Sequence, residues 1–433
     1  MKPHPLLAQL LDVECAPAFG HVVEISDGII RATGPAAGLG ELCRIMVSPD
    51  HHVAAEIVAV RDGGITLVPL RTDSRIRLGM RVVVIGADCS APAGDDFGGR
   101  VIDALGSPID GKGAIFRATD TVTAAANALD RINPDSMLVT GVRAIDGLLT
   151  LGIGQRIGIF AASGVGKTSL IEQLARQVDC DRCVLCLVGE RGREVSGFWD
   201  MVAGSSDATK FTVVAATSDE SPVMRARAVD QALVIADYWR GRGKHVLLII
   251  DSITRLAMAL REIGLAAGAP PTVRAYTPNV FAALPRLVER CGAVRGSGAI
   301  TAVMTVLAET DDVDDPIVEV MKSLLDGHIV MSRTLADQGH FPAIDIVRSV
   351  SRQSARLIAA DHAIVARRAI ALLADYDENR VMIESGVYRP RSNERIDRAI
   401  ASREPLAKFL RQSSAEAVDF VATRTALEQA CPA

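Results

Sequence analysis

Two periods of hydrophobicity divide the chain. Up to about residue 86, apolar and polar positions alternate in short stretches: HVVEISDGIIRATG, ELCRIMV, HHVAAEIVAV, GGITLVPL and RVVVIG, separated by Gly and Asp turns. A period of two belongs to strands with one buried face, and short strands at this spacing predict a small β-barrel. From RIGIF (156–160) onward the strands become continuous apolar runs: CVLCLVG (183–189), FTVVAAT (211–217), HVLLIID (245–251), AITAVMTVLA (299–308) and HIVMS (328–332). Amphipathic stretches near 167–178, 223–240 and 278–291 lie between them. Unbroken apolar strands alternating with helices predict a doubly wound α/β core, its sheet covered on both faces. Beyond about 356 the chain is rich in Ala, Leu and Arg, has no strand pattern, and predicts a helical domain. The expected division is therefore 1–86, 87–355 and 356–433.

Composition adds three constraints. Aromatics are only 4% of the 433 residues, so the core must be built from Ala, Val, Ile and Leu. Net charge is −5, from 47 Lys plus Arg against 52 Asp plus Glu, which leaves no basic surplus to neutralise a nucleic-acid backbone. Mean hydropathy is high at +0.24, yet no apolar run approaches the roughly 18 residues of a membrane span. The N-terminal stretch lacks the apolar segment of a secretory signal. A cytoplasmic protein is expected, with surplus apolar surface as subunit interface. The eight cysteines are then expected as reduced thiols. The one cluster, Cys180, Cys183 and Cys186, has no second Cys/His group to complete a metal site, and Cys186 sits in a strand-like run.

The strongest chemical signal is Ala161-Ala162-Ser163-Gly164-Val165-Gly166-Lys167-Thr168, between the RIGIF strand and the helix-like SLIEQLARQV. Strand, Gly-rich loop and helix in that order make a phosphate cradle of backbone N–H groups. Lys167 is placed to reach the β- and γ-phosphates of a nucleotide, and Thr168 to present its hydroxyl to Mg²⁺. The first Gly of the usual motif is replaced by Ala161. Asp251, at the tip of HVLLIID, stands where a carboxylate can hold Mg²⁺ through its water shell. Glu190, just after CVLCLV, stands where a carboxylate can orient an attacking water, although a solvated charged turn would look the same from spacing alone.

Together, AASGVGKT, VGERGREV, VLLIIDSITR, REIGLAAG, LDGHIVMSR and FPAIDIVRSVSR resemble the type III secretion ATPases, relatives of the catalytic β-subunit of rotary ATP synthases. The resemblance runs from GELC (40–43) to IDRAI (396–400). It implies a RecA-like P-loop NTPase core with an N-terminal barrel and a C-terminal helical domain. It implies a protein-secreting ATP hydrolase using ATP and Mg²⁺. Glu190 matches the catalytic carboxylate, Arg191 a basic residue near the phosphates, Glu194 a carboxylate at the Mg²⁺ water shell, and Arg352 the finger given in trans to a neighbour's site. Phe341 matches the aromatic that packs on adenine. Asp311, Asp312 and Asp314, in the acidic loop 309–316, match a loop facing the central stalk.

The resemblance further implies a homohexamer peripheral to the inner membrane's cytoplasmic face. Its partners would be a central stalk protein, a peripheral regulator, a membrane export gate, and chaperone–effector complexes docking on the C-terminal helices. GELC leans toward the injectisome over the flagellum. The stretches 275–287 and 201–210 depart from the family pattern. The alternatives are a rotary ATP synthase-type subunit and a hexameric RNA helicase of the termination-factor type, which would need a basic, aromatic-bearing RNA face. A non-hydrolysing assembly subunit conflicts with the intact Lys167, Glu190 and Asp251.

Overall fold

The computed structural model describes residues 19–26, 28–71, 75–86, 91–116, 119–121, 126–308 and 315–431. The chain divides into two compact units. One holds the described residues up to Gly86 with Asp219–Ala226 and Met258–Val280; the other holds the rest.

In the first unit, six antiparallel strands close into a barrel, in the order Phe19–Ser26, Ile29–Ala32, Gly64–Pro69, His51–Arg61, Leu42–Ser48, Arg81–Gly86 and back to the first. The alternating pattern is the reason. Val22, Ile30, Cys43, Ile45, Val53, Ile57, Leu67 and Val82 all point inward and are almost completely buried. Their polar neighbours face out.

The second unit is built on a mostly parallel sheet. Its main path runs Ile344–Ser351, Gly327–Met331, Arg156–Ala161, Ala299–Leu307, His245–Asp251, Arg182–Glu190, Phe211–Thr217, Arg100–Ile102. The central strands are buried on both faces, which is why they read as unbroken apolar runs. Cys183 and Cys186 belong to this buried strand, and burial drives both thiols far above their usual pKa. Helices Lys167–Gln177, Gly192–Ala203 and Pro222–Arg240 follow strands in turn. Helix Ile253–Ala266 is an addition to the sequence expectation.

The last sheet strand, Ile344–Ser351, runs antiparallel to its neighbour. Met331 pairs with Ile344 and Gly327 with Ser351.

Helices Ala360–Glu384, Glu394–Leu410 and Phe420–Ala430 close the second unit. Arg143 ties them on through Nε to the Phe409 carbonyl (2.9 Å) and Nη1 to Glu416 (2.6 Å). Gln412 Nε2 donates to the Gly141 carbonyl at 2.7 Å. Among the described residues, no helix is long and apolar enough to cross a membrane. The acidic positions Asp311, Asp312 and Asp314 lie outside the described residues.

Candidate functional site

The phosphate cradle follows from local backbone chemistry. The apolar Arg156–Ala161 strand ends, and the chain turns through Ala162, Ser163, Gly164, Val165 and Gly166 into the Lys167–Gln177 helix. Gly164 and Gly166 have φ of 82° and 90°, a left-handed conformation that side chains resist. Gly166 caps the helix and offers no side chain to its N-terminus. The first-turn amides around Lys167 and Thr168 are therefore available to an anion, reinforced by the helix dipole. The Phe341 ring lies against this turn, 3.4 Å from where a Cβ on Gly166 would stand. The Phe341 carbonyl accepts the Gln412 N–H at 2.8 Å. Arg333 donates to the Ser163 carbonyl at 3.4 Å.

Lys167 is gripped by two carboxylates. Its Nζ pairs with Asp251 and lies 3.7 Å from Glu190 Oε1. Asp251 ends the buried His245–Asp251 strand, and its Oδ1 also accepts the Thr305 hydroxyl at 2.6 Å. Asp251 Oδ2 is buried with no hydrogen-bond partner among the described residues. An orphaned carboxylate oxygen is expensive unless something binds it. On a carboxylate paired with the phosphate-loop Lys167, it suits the water shell of Mg²⁺, and the Thr168 hydroxyl at the start of the helix would be a further ligand. The donor set therefore fits the ion.

Glu190 ends the Arg182–Glu190 strand and is only 8% exposed. Burial first, then the charges of Asp251 and Glu194, push its carboxyl up to about 7, against the pull of Lys167 and Arg255. A carboxyl poised near neutrality in a buried cluster is what a general base requires. Glu194 is half-buried in the first turn of the Gly192–Ala203 helix, and Arg191 is the exposed N-cap of that helix.

Lys167, Thr168, Glu190, Glu194, Asp251 and Phe341 thus gather around one loop. Arg352 does not. It follows Ser351, which pairs with Gly327, and its N–H donates to the Asp326 carbonyl at 3.0 Å. Asp326 in turn is held by Arg156, the first residue of the phosphate-loop strand. At about 3.3 Å per residue, the length of that strand puts Arg352 roughly 17 Å from the loop.

Two residues escaped the sequence expectations. Arg255 packs its methylenes against Gly189, 3.2 Å from where a Cβ would stand, at a backbone φ of +67°. That contact explains the glycine before Glu190 and brings a second cation to the carboxylate. Thr305 looks like an ordinary polar residue in a core strand until the parallel register sets it beside Asp251. Only the SITR segment after Asp251 hinted at Arg255.

Known proteins resemble this chain over most of its length. Residues 141–351 match the ATP synthase alpha/beta family, nucleotide-binding domain, and residues 358–429 match the T3SS EscN ATPase C-terminal domain. The chain is 43% identical to the flagellum-specific ATP synthase of Treponema pallidum, over 96% of this chain and 94% of that protein. It is also 43% identical to the type 3 secretion system ATPase of Xanthomonas euvesicatoria, over 94% of each. The assembled ATPase EscN of the enteropathogenic E. coli type III secretion system superposes with a TM-score of 0.90 at 38% identity, covering 95% of this chain and all of EscN. EscN in complex with its central stalk EscO gives 0.85 at 36% identity, with the same coverage.

Proposed function

The chain belongs to the type III secretion and flagellar export ATPases, which hydrolyse ATP, and from that premise we propose that it powers protein export through a virulence-type injectisome as a homohexameric ring. The chemistry rests on the convergence of Lys167, Glu190 and Asp251 beside the phosphate loop. The loop amides from Ala162 to Thr168 and the Lys167 ammonium bind the phosphates of ATP. The Phe341 ring stacks on adenine. Glu190, ionised, orients and deprotonates the attacking water. Arg191 faces the phosphates from the N-cap beside it. Thr168 and, through water, Asp251 and Glu194 would hold Mg²⁺. When bound there, the ion would supply electrostatic stabilisation of the charge that develops on the phosphates.

Arg352 completes the site of a neighbouring subunit. Its separation from its own loop supports the trans role, since a finger must touch the γ-phosphate to act. Such a finger is worth roughly 10³–10⁵ in rate. Arg352→Ala should therefore abolish turnover and leave nucleotide binding intact; normal hydrolysis by this variant would sink the trans-site reading.

We assign three functional parts: the barrel (1–86), the motor (87–355) and the helical region (356–433) that receives chaperone–effector complexes, releasing and unfolding the cargo. The ring sits at the cytoplasmic face of the inner membrane with a stalk, a regulator and an export gate. EscN, which is solved with its stalk EscO, supports this assembly by analogy. GELC at 40–43 and the EscN likeness favour injectisome over flagellum. Deleting the gene in its source bacterium should stop effector secretion and spare swimming; loss of swimming alone would reverse that choice.

A further inference from the structure

Within the second unit, a cavity of about 330 Å³ opens between the Ile344–Ser351 strand and the helices Ala360–Glu384 and Glu394–Leu410. None of the residues that line it belongs to the phosphate-binding set. Its floor is aliphatic, from Leu335, Ile344, Ile346, Leu373 and Leu410. Three guanidiniums, Arg348, Arg380 and Arg403, surround it with two carboxylates, Asp345 and Asp377. Arg380 is engaged by Glu384 at 2.8 Å and Arg348 by Asp345 at 3.8 Å. Arg403 forms no ion pair among the described residues; its guanidinium lies over the Tyr376 ring, 4.9 Å from the centroid.

A second group is also unanswered. His340 lines the cavity and is 3% exposed, yet its Nε2 is buried with no hydrogen-bond partner among the described residues. Burial, then Arg411 and Arg403, holds its pKa down to about 4. At neutral pH the imidazole is uncharged, and Nε2 offers one hydrogen bond.

The charge arithmetic narrows what fits. Asp345 answers Arg348 and Glu384 answers Arg380, which leaves Arg403 near the Asp377 carboxyl, pushed up by burial and then Asp345 and held down by Arg403. Arg403 is the lining guanidinium without an ion pair among the described residues, so it can take one negative charge, whereas a dianion would meet Asp345 and Asp377. A planar guanidinium fork matches a carboxylate, and the floor calls for hydrocarbon. We propose that this cavity is a second ligand site, taking an apolar monocarboxylate with its charge on Arg403, its remaining polar atom on His340 Nε2 and its hydrocarbon on the aliphatic floor. The carboxylate can come from a free small acid or from the C-terminal residue of a peptide. The strand beneath it leads to Arg352, proposed above to serve a neighbouring subunit, and the loop beside it to Phe341 at this chain's own phosphate loop, so an occupant would touch the segments that carry both.

The test is calorimetry and saturation-transfer NMR on the full chain, with hexanoate, N-acetyl-leucine, N-acetyl-leucinamide and inorganic phosphate as probes. At least one acid should bind with a Kd below about 1 mM, and the amide and phosphate at least about tenfold more weakly. Arg403→Gln should weaken the acid about tenfold or more and leave ADP binding unchanged. Arg403→Lys, which keeps the charge but not the fork, should fall between. Preference for hexanoate identifies a free acid as the ligand, and preference for N-acetyl-leucine identifies a peptide end. The proposal fails if neither acid binds, if the amide or phosphate binds as well, or if both Arg403 variants bind like the parent. ADP binding, read in the same samples, keeps this outcome separate from the assignment of the phosphate loop.

Discussion

Glu190 carries a conflict that only its surroundings explain. Burial and two neighbouring carboxylates resist its ionisation, while Lys167 and Arg255 favour it. Its folded pKa, raised to about 7, means that the free enzyme gains its base as pH climbs through neutrality. The acid limb of kcat/KM, which reports the free enzyme, should therefore have a midpoint near that value. Glu194→Gln removes one of the charges that raise Glu190, so it should shift the midpoint to lower pH; a shift upward, or none, would contradict the electrostatics. Glu190→Gln keeps the shape without the base and should lower kcat by about 10²–10⁴, with ADP binding retained in calorimetry. At this scale Lys167, Thr168, Asp251 and Glu190 were legible because each stands at a strand tip or loop that the apolar pattern marks out. Arg255 and Thr305 were not. Their roles arise when His245–Asp251, Arg182–Glu190 and Ala299–Leu307 line up in register, a property of pairing and not of local sequence.

Among the elements, the reversal of the final strand matters most. A parallel strand beside Gly327–Met331 would carry its C-terminal residue toward the phosphate loop; the antiparallel one carries it away. The reversed strand is pinned where it ends. Arg156 donates Nε and Nη2 to the Asp326 carboxylate, both at 3.0 Å, and Asp326 receives the Arg352 N–H on its carbonyl. Both side chains are mostly shielded from solvent, at 22% and 17% exposure. Asp326→Asn loses the bidentate charge and should cost about 1–3 kcal/mol in urea unfolding. It should also lower kcat more than it raises KM, because the finger's anchor loosens while the nucleotide cradle is untouched. The barrel strands and the core strands were legible from their periods of two and their unbroken apolar runs. Helix Ile253–Ala266 was not, because Leu256, Ala257, Met258, Ala259 and Leu260 are consecutive apolar residues that hide a helical period.

For the whole molecule, the proposed ring makes a prediction no single subunit can. Glu190→Gln and Arg352→Ala should each be inactive alone. Mixed one to one before assembly, about a quarter of the head-to-tail interfaces would join an intact Glu190 to an intact Arg352. ATP turnover should return in the mixture; continued silence would mean that Arg352 does not serve a neighbour. The sequence hinted at this scale through its apolar surplus, though composition alone could not say which faces meet. One further consequence lies in the reversal of the last strand. If Arg352 serves only a neighbour, a newly made copy would hold ATP beside its own Glu190 and Lys167 yet lack the one cation that completes the site. Unassembled chains drifting in the cell would leave the nucleotide pool alone, and assembly itself would be the act that turns the motor on.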